Sequence, residues 1–442
     1  MAIFDVKKLK EKYELVVGLE IHVELRTQSK MFCECDAWHF GVDANTHVCP
    51  VCLGLPGALP IPNKKALEWT ILIANSLNCK INTYQQFDRK HYFYPDLPKG
   101  YQITQFYFPA GEHGYLEIDG KKYRIRRVHL EEDTGKLVHE GGVSLVDFNR
   151  SSVPLVEIVT EPDFKTPEEA KKFLKMLHLI VRYLGVSDAD LEKGSMRLEP
   201  NISVKLKGST GLPEYKVEVK NINSFNFVAK AIEYEFVRQA KLLEQGIIPD
   251  QETRGFDPAS GKTKPQRKKE VATDYRYLPD PDIPPVKYTE KEIEKIIETR
   301  PELPHERYKR YIELGIRPDV AEFLMFNYKI ANEFDNLISK YKNIDVKGFA
   351  VYIANRPEQE RQKPLTELLE EFKASKQKES LDKETIAKVV AEVISENPKA
   401  VEDYKAGKQN AIQFLLGQFM RKIKKRIDVK PVLEEIKRQI EG

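Results

Sequence analysis

A strict alternation of apolar and polar residues near the amino end limits the possible folds of this chain more than any other feature. Apolar side chains occupy the odd positions of residues 19–25 and polar side chains the even ones: Leu19, Ile21, Val23 and Leu25 against Glu20, His22 and Glu24. This period of two is typical of a strand with one buried face. Similar short runs recur as far as residue 285, and the pattern predicts a large α+β unit built on antiparallel strands. Pro200 interrupts one run, which predicts a bulge or an edge strand there.

The character of the sequence changes after residue 285. Thr289 and Glu292 form a capping-box pattern ahead of apolar residues at helical spacing, so the segment that follows is predicted to be helical. A polar stretch at 375–380 has no apolar anchor and predicts a flexible connection. Because 442 residues are too many for one core, several domains are expected. We predict an antiparallel-sheet domain at 1–288, an all-α helical domain at 289–375 and a small helical tail domain at 376–442.

The overall charge balance excludes a uniformly positive surface. Lys and Arg together number 71 and Asp and Glu 68, so any nucleic-acid surface must come from local clusters of cations. No apolar run is long enough to cross a bilayer, and the amino end has no export signal. The sequence therefore predicts a cytoplasmic protein without a membrane role.

Four of the five cysteines form two close pairs separated by a loop. The pairs are Cys33 with Cys35 and Cys49 with Cys52. Two such pairs can arrange four thiolates tetrahedrally around Zn²⁺, and four sulfur ligands leave no open position for catalysis. We therefore predict a structural zinc site in an insertion at about residues 31–55, with four unligated thiols as the alternative. His39 and His47, inside the loop, are interpreted as ordinary surface histidines, with substitution for a cysteine ligand as the alternative.

Carboxylate, imidazole and amide side chains lie on the polar faces of the predicted strands. They are Glu20 and His22; His129, Glu131 and Asp133; Glu157; Arg197, Glu199 and Asn201; and Glu218 and Lys220. For any one strand the alternative is an ordinary solvated sheet face. Repetition of carboxylates with histidine or asparagine instead favours Mg²⁺ bound by carboxylates and substrate phosphates. Because the chain has neither G-x-x-x-x-G-K-[ST] nor G-x-G-x-x-G, nucleotide phosphates would be held by metal and by cations such as Arg89, Lys90, Lys136 or Lys220.

Six runs of the sequence are distinctive in the order of their residues. They are VGLEIHV at 17–23, VCPVCLGLPG at 48–57, FDRKHYFYPDLPKGYQ at 87–102, HLEEDTGK at 129–136, VKNINSF at 219–225 and DYRY at 274–277. Together they resemble the B-subunit family of the aspartyl/glutamyl-tRNA(Asn/Gln) amidotransferases, and the resemblance covers nearly the whole chain. The chain departs from the family at His91, where Asn is common, and at Glu199-Pro200, where Asp-Ala is common.

The resemblance implies a cradle-shaped kinase domain with glutamine-synthetase-like architecture, followed by helical and tail domains. In this family the B subunit uses Mg²⁺ and ATP to phosphorylate the side-chain carboxylate of Glu-tRNA(Gln) or Asp-tRNA(Asn). Ammonia from the A subunit, which is a glutaminase, then displaces the phosphate. The C subunit wraps the other two together.

Carried onto this chain, the resemblance implies roles for particular residues. The implied residues for metal binding and the carboxylate pocket are Glu20, His22, Glu131 and Glu157. Lys90 and Arg89 would neutralise the transferring phosphate or guide ammonia. The nucleotide side would be formed by Glu199, Asn201, Glu218 and Lys220.

A basic helical face near the carboxyl end is the candidate RNA contact. On a helix predicted at 410–426, Arg421, Lys424 and Lys425 project away from an apolar stripe. A solvated basic face is the alternative, but the resemblance favours tRNA, because the family's tail domain contacts the tRNA body.

A second hypothesis stays open at this point. The chain would then be a zinc-containing, tRNA-binding scaffold without chemistry of its own, and the polar strand faces would be merely hydrated. ATP turnover with mischarged tRNA separates the two hypotheses. The sequence leaves undecided whether Glu-tRNA(Gln), Asp-tRNA(Asn) or both are substrates.

Overall fold

The structure is a computed structural model that describes residues 6–268, 275–341, 343–376, 381–423 and 428–441. It divides into two compact units, Met1–Glu306 and Arg307–Gly442. A large sheet dominates the first unit and helices form the second, which confirms the α+β class. The three domain boundaries given above stay a prediction.

The first unit contains all the named strands. They are β1 Tyr13–Glu24, β2 Lys80–Ile81, β3 Tyr84–Gln85, β4 Asp88–His91, β5 Tyr101–Thr104, β6 Gly111–Ile118, β7 Lys121–Glu132, β8 Lys136–Glu140, β9 Val143–Asp147, β10 Pro154–Thr160, β11 Met196–Leu206, β12 Val217–Lys220, β13 Glu252–Asp257, β14 Lys262–Lys268, β15 Leu278–Pro279 and β16 Val286–Lys287. Its helices are α1 Val6–Lys12, α2 Lys64–Ser76, α3 Pro167–Leu184, α4 Phe225–Glu244 and α5 Glu290–Glu298.

Most of these strands join one sheet in the order β14-β13-β12-β11-β1-β10-β7-β5-β4-β15, with β6 and β2 attached beside β7. The sheet is mixed, because β12 and β13 run parallel whereas its other neighbours are antiparallel. A parallel pair needs a long crossover connection, and α4 supplies it between these two strands.

Strand β1 lies in the interior of the sheet. It pairs with β11 without a break from Tyr13 opposite Leu206 to Val23 opposite Met196. The pairing of β1 with β11 has no bulge at Pro200, but the predicted edge is present locally, because β11 has no partner on its other side at this position. Proline is tolerated here because the pairing of β11 with β12 begins only at Asn201, so its missing N–H interrupts no ladder on that side.

The sheet has one apolar and one polar face. The odd-numbered apolar residues of β1 are buried in the main core, which also contains apolar residues of β7, β10, β11 and β12 and of helices α2, α3 and α4. Their alternation follows from the pleat of the strands. The polar residues of the same strands are consequently directed to the opposite side.

Helix α3 is fixed at both ends by local signals. Thr166 accepts a hydrogen bond from the backbone N–H of Glu169, and Pro167 occupies the first turn. Gly185 ends the helix with φ of 67°, a left-handed conformation that glycine adopts without strain. The helix therefore presents a continuous apolar side to the core.

The helices of the second unit surround two separate apolar clusters. The helices are α6 Pro304–Glu313, which crosses the unit boundary, α7 Pro318–Phe326, α8 Tyr328–Lys340, α9 Val346–Ala354, α10 Leu365–Lys376, α11 Lys383–Glu396, α12 Pro398–Lys405, α13 Asn410–Ile423 and α14 Val429–Glu441. One cluster is centred on Phe334 and Phe349, and the other on Leu415, Phe419 and Ile436. Within the described ranges, no helix has the length and apolar character needed to span a bilayer.

Candidate active site

Strand register brings distant polar residues into one row on the polar face. His22 of β1 lies opposite Glu157 of β10, and Glu157 lies opposite His129 of β7. Glu131 is two residues further along β7 and therefore points to the same side. The Nε2 atom of His129 is 3.1 Å from Oε2 of Glu157, and Nε2 of His22 is 3.7 Å from Oε1 of Glu131 and 3.8 Å from Oε2 of Glu157.

Three of these side chains form what we call the histidine cluster: His22, Glu131 and Glu157. One donor atom from each lies within 4.8 Å of the others. Oε2 of Glu131 and Nδ1 of His22 are buried without a hydrogen-bond partner among the described residues. Buried polar atoms of this kind are costly unless a ligand or water satisfies them. Two carboxylates and an imidazole can hold a divalent cation here.

A second group, the triglutamate cluster, consists of Glu20 on β1, Glu199 on β11 and Glu218 on β12. One oxygen from each lies within 4.8 Å of the others. Lys220 Nζ approaches Glu199 at 3.0 Å and Glu218 at 3.3 Å, and the amide of Asn201 donates to Glu20 at 3.0 Å. Three carboxylates this close repel one another, so the cluster favours a bound cation.

The pKa values reflect a strongly charged, poorly hydrated face. Burial alone would raise the pKa of Glu157, but the charge and hydrogen bond of His129, together with His22 and Lys90, hold it well below its usual value. Burial and the nearby charge of Glu157 raise the pKa of Glu20. Glu157 is therefore anionic at neutral pH, whereas the ammonium of Lys216, 3.6 Å from Glu20, only partly offsets the rise in the pKa of Glu20.

Lys90 of β4 extends toward the histidine cluster beneath two aromatic rings. Its Nζ lies 5.0 Å from the ring centre of Tyr275 and 5.9 Å from that of Tyr92. Burial disfavours the ammonium, yet the charges of Glu131 and Glu157 raise the pKa of Lys90. Lys90 is thus a half-buried ammonium group near two carboxylates.

A cavity opens next to the triglutamate cluster. Its volume is about 280 Å³, and Gly18, Glu20, Asn201, Tyr215 and Lys216 are among the residues that line it. Apolar and polar walls occur together, as in sites for small organic ligands. The cavity is large enough to receive part of a nucleotide beside the carboxylates.

The four paired cysteines come together beside the sheet. One sulfur from each of Cys33, Cys35, Cys49 and Cys52 lies within 4.8 Å of the others. The sulfurs of Cys49 and Cys52 are 3.9 Å apart, and a tetrahedron with Zn–S bonds of about 2.3 Å has edges of about 3.8 Å. The hydrogen bond from Cys33 lowers the pKa of Cys52 to about 4, whereas burial raises that of Cys35 to about 11. The residues fit a closed Zn²⁺ site.

Comparison with known proteins shows which family the chain is similar to. The family model described as "GatB/GatE catalytic domain" matches residues 15–294, and the one described as "GatB domain" matches residues 359–440. A protein of Thermosipho melanesiensis, named as the B subunit of aspartyl/glutamyl-tRNA(Asn/Gln) amidotransferase, is 44% identical over 97% of this chain and 99% of its own length.

The chain belongs to the amidotransferase B-subunit family. Relatives with the same name in Thermotoga maritima and Carboxydothermus hydrogenoformans are 42% and 43% identical and cover 98% and 95% of this chain, and 100% and 97% of their own lengths. The resemblance found in the sequence motifs is confirmed. Both acidic clusters and the four cysteines lie within the match to the family's catalytic domain.

Two of the residues predicted to bind phosphate, Arg89 and Lys136, belong to neither the histidine cluster nor the triglutamate cluster. Arg89 forms ion pairs with Asp280 at 2.8 Å and Asp282 at 2.9 Å, and its guanidinium lies over Tyr101. It neighbours Lys90 in a strand, so the two side chains leave opposite faces of the sheet. The phosphate role given to Arg89 stays a prediction. Lys136, on β8, is exposed.

The interpretation of His39 as a surface residue is wrong. Its Nε2 lies 3.0 Å from Oε2 of Glu24, a buried carboxylate two residues beyond His22 on β1. Nearby, Asp133 is ion-paired with Arg197 at 2.8 Å. The loop between the cysteine pairs therefore contacts the strand that carries the histidine cluster, a connection that residue spacing alone does not reveal.

Several residues around the site were missed in the sequence. Tyr275 contacts Lys90 as described, and the ring of Tyr277 stacks on Phe106 with centroids 3.7 Å apart. The hydroxyl of Thr253 donates to Glu218 at 2.9 Å. The motif at 274–277 carried the only signal, because both tyrosines belong to it; Asp274 itself lies outside the described residues.

The predicted RNA-binding residues belong to the family's second matched region. Arg421 is exposed in the last turn of α13, opposite the buried side of that helix. Lys424 and Lys425 lie outside the described residues. The role of all three in binding tRNA stays a prediction.

Proposed function

We propose that this chain is the phosphorylating subunit of a tRNA-dependent amidotransferase, a ligase that forms a carbon–nitrogen bond with glutamine as amide donor. Its substrates would be ATP and the side-chain carboxylate of Glu-tRNA(Gln), Asp-tRNA(Asn) or both. The observation that carries the proposal is the convergence of the histidine and triglutamate clusters on one sheet face beside a cavity. Membership of the B-subunit family supports it.

The chemistry explains why ATP is needed. A carboxylate resists attack by ammonia because it is anionic and has no good leaving group. In the proposed reaction the carboxylate oxygen attacks the terminal phosphorus of ATP, the bond to the bridging oxygen breaks, and ADP leaves. The nitrogen of ammonia then attacks the carbonyl carbon, inorganic phosphate leaves, and the nitrogen loses a proton to give the amide.

Residues of both clusters would bind Mg²⁺. Glu20, His22, Glu131 and Glu157 are the proposed protein ligands of Mg²⁺, which when bound neutralises charge on the transferring phosphoryl group. Glu199 and Glu218 complete the acidic side, beside the cavity proposed for the nucleotide.

Cations and an amide would orient the phosphates. Lys90, charged and beside Glu131 and Glu157, is proposed to stabilise negative charge on the transferring group. Lys220 and Asn201, beside the triglutamate cluster, are proposed to contact the nucleotide. Arg89 would act on phosphate only after leaving its two aspartate partners.

Other polypeptides would supply the ammonia. Four of the five cysteines fit the proposed structural zinc site, and burial raises the pKa of the remaining thiol, Cys79, to about 12. A thiol in that state is a poor nucleophile for releasing ammonia from glutamine. We propose that the family's A subunit, the glutaminase, is the source, and that its C subunit holds the assembly together. Arg421, Lys424 and Lys425 are proposed to contact the tRNA.

Reconstitution tests the proposal directly. The chain is assembled with the A and C subunits, and ADP release and amide formation are measured with Glu-tRNA(Gln) and with Asp-tRNA(Asn). We expect ADP release to require Mg²⁺ and a mischarged tRNA. A complex that binds tRNA but leaves ATP intact would be a scaffold, and the proposal would be wrong.

Replacing Lys220 by methionine is expected to raise the KM for ATP about ten-fold, since a hydrogen bond to a charged group contributes about 1.5 kcal/mol. The reason is loss of the ammonium beside Glu199 and Glu218. Initial rates of ADP release over a range of ATP concentrations provide the measurement. Lys207→Met, at an exposed lysine just after β11, is the matched control. An unchanged KM in Lys220→Met would remove Lys220 from the nucleotide site.

A further inference from the structure

Lys30 is a lysine without exposure to solvent. Its relative exposure is 0%, although lysine is almost never fully buried unless it is paired. Its Nζ atom donates hydrogen bonds to the backbone carbonyls of His47 at 2.7 Å and Phe148 at 3.2 Å. Lys30 forms no ion pair with a carboxylate of the described residues. A buried ammonium is costly without an opposite charge, so the balancing group has to be sought elsewhere.

Hydrogen bonds hold Lys30 beside both cysteine pairs. Its backbone N–H donates to the carbonyl of Cys35 at 2.9 Å. His47, whose carbonyl accepts a hydrogen bond from the ammonium, comes two residues before Cys49 in the chain. The cap of α2, Asn63, donates to the carbonyl of Lys30 at 3.2 Å. The backbone of Lys30 is therefore fixed at the first cysteine pair, and its ammonium at the segment that leads into the second.

The positive charge of Lys30 acts on the sulfur of Cys52. The pKa of Cys52 is lowered by the hydrogen bond from Cys33, then by the hydrogen bond from the backbone N–H of Cys49, and then by the charge of Lys30. Coulomb attraction falls with distance and is stronger where water is excluded. Because Lys30 and Cys52 are both 0% exposed, the attraction between their charges is poorly screened.

A loaded zinc site would carry the opposite charge that Lys30 lacks. Four thiolates carry one negative charge each and Zn²⁺ carries two positive charges, so the site would be a dianion. Cys52 is buried and the other three cysteines are half-buried, which keeps water from neutralising this charge. An ammonium has three N–H donors, and the two backbone carbonyls take two of them. A buried ammonium with a further donor complements a buried dianion.

We infer that Lys30 is the counter-charge of the four-cysteine site and raises its affinity for zinc. The ammonium would offset part of the negative charge of the loaded site without binding the metal itself. This role accounts for a lysine, rather than an apolar residue, at a fully buried position beside thiols. The inference goes beyond the proposed phosphorylating function and rests on the proposed zinc site.

Three substitutions in the full chain test this role of Lys30. Lys30→Gln removes the charge but keeps hydrogen-bond donors, Lys30→Met removes both, and Lys30→Arg keeps the charge. Lys64→Gln, at an exposed lysine in the first turn of α2, is the matched control. Zinc affinity is measured by competition with a chromophoric chelator. The absorption spectrum of the Co²⁺-loaded chain reports whether four sulfurs still hold the metal tetrahedrally.

We expect Lys30→Gln and Lys30→Met to weaken zinc binding between about 10-fold and 100-fold, the range typical for loss of a group that supports metal ligands. Lys30→Arg should bind zinc nearly as tightly as the wild type, and Lys64→Gln should be unchanged. The Co²⁺ spectrum should stay the same in all variants, because the charge changes and the ligands do not. A lysine that only supports the fold would leave the zinc affinity of the folded chain unaltered.

Wild-type zinc affinity in the two neutral variants would overturn the inference. So would an altered Co²⁺ spectrum in Lys30→Gln, because Lys30 would then set the geometry of the ligands rather than balance their charge. If both neutral variants fail to fold, Lys30→Arg decides, since weak zinc binding despite the retained charge would contradict the role. A wild-type chain that binds neither metal would overturn the zinc site together with this inference, whereas failure of the proposed function appears as absent ATP consumption.

Discussion

Replacing Glu157 by glutamine is expected to lower tRNA-dependent ATP consumption at least about 100-fold while the fold is kept. The two side chains have nearly the same size, but glutamine cannot supply a negative charge. Glu157 stands in the middle of the row between His22 and His129, and its pKa is held well below the usual value, so it is anionic at neutral pH. Removing this charge removes a proposed Mg²⁺ ligand. The measurement is ADP release by the three-subunit complex at saturating ATP.

Two companion variants sharpen this test. Glu131→Gln removes the other carboxylate of the histidine cluster and should have a similar effect. Glu117→Gln changes an exposed carboxylate on β6 of the same sheet and should leave the rate unaltered. If Glu157→Gln retained most of the wild-type rate, phosphoryl transfer would have to occur elsewhere. Circular dichroism and co-purification with the partner subunits verify that the variants are folded.

Replacing Cys52 by serine is expected to abolish zinc binding and destabilise the region around the loop. The wild-type protein should contain about one zinc ion per chain, and a structural site of this type contributes on the order of 10 kcal/mol of binding free energy. Cys52 is the most buried member of the set, and its low pKa makes it a thiolate at neutral pH. Serine offers no such ligand. Metal content and urea unfolding of the purified chain provide the readouts.

Cys79→Ser is the control, because Cys79 lies outside the four-cysteine set and should leave the zinc content unchanged. The loss of zinc should also disturb the candidate active site, because His39 of the loop contacts Glu24 on the strand that carries His22. We therefore expect Cys52→Ser to lower ATP turnover as well. A wild-type chain purified without zinc, yet as stable as after zinc addition, would contradict the structural role.

The sequence predicted which side chains of β1 leave the core, but not how the polar side chains of different strands are arranged. The alternation in β1 predicted correctly which residues leave the core, because the pleat of a strand alone decides this. The proximity of His22, Glu157 and His129 depends on strand register, and the register that involves His22 joins β1 to segments more than one hundred residues later in the chain. No local pattern encodes it.

Two other differences have specific physical causes. Pro200 predicted a bulge or an edge, and only the edge occurs: β11 lies inside the sheet but has no partner on one side at this residue, so proline is tolerated. Arg89 and Lys90 looked equivalent as phosphate ligands, yet adjacent residues in a strand leave opposite faces, and aspartates 191 and 193 positions later in the chain pair with Arg89. In both cases the outcome depends on which strand or side chain lies beside the residue in the fold, and this is not visible in the local sequence.

Because β1 lies in the interior of the sheet, it cannot form its strand pairs during synthesis until later parts of the first unit have been made. Its partners β10 and β11 begin at Pro154 and Met196, so both edges of β1 stay unpaired until these segments leave the ribosome. Unpaired strand edges invite association with other chains. We therefore expect truncated chains that end before β11 to aggregate, and nascent chains to depend on chaperones until about half of the protein has been made.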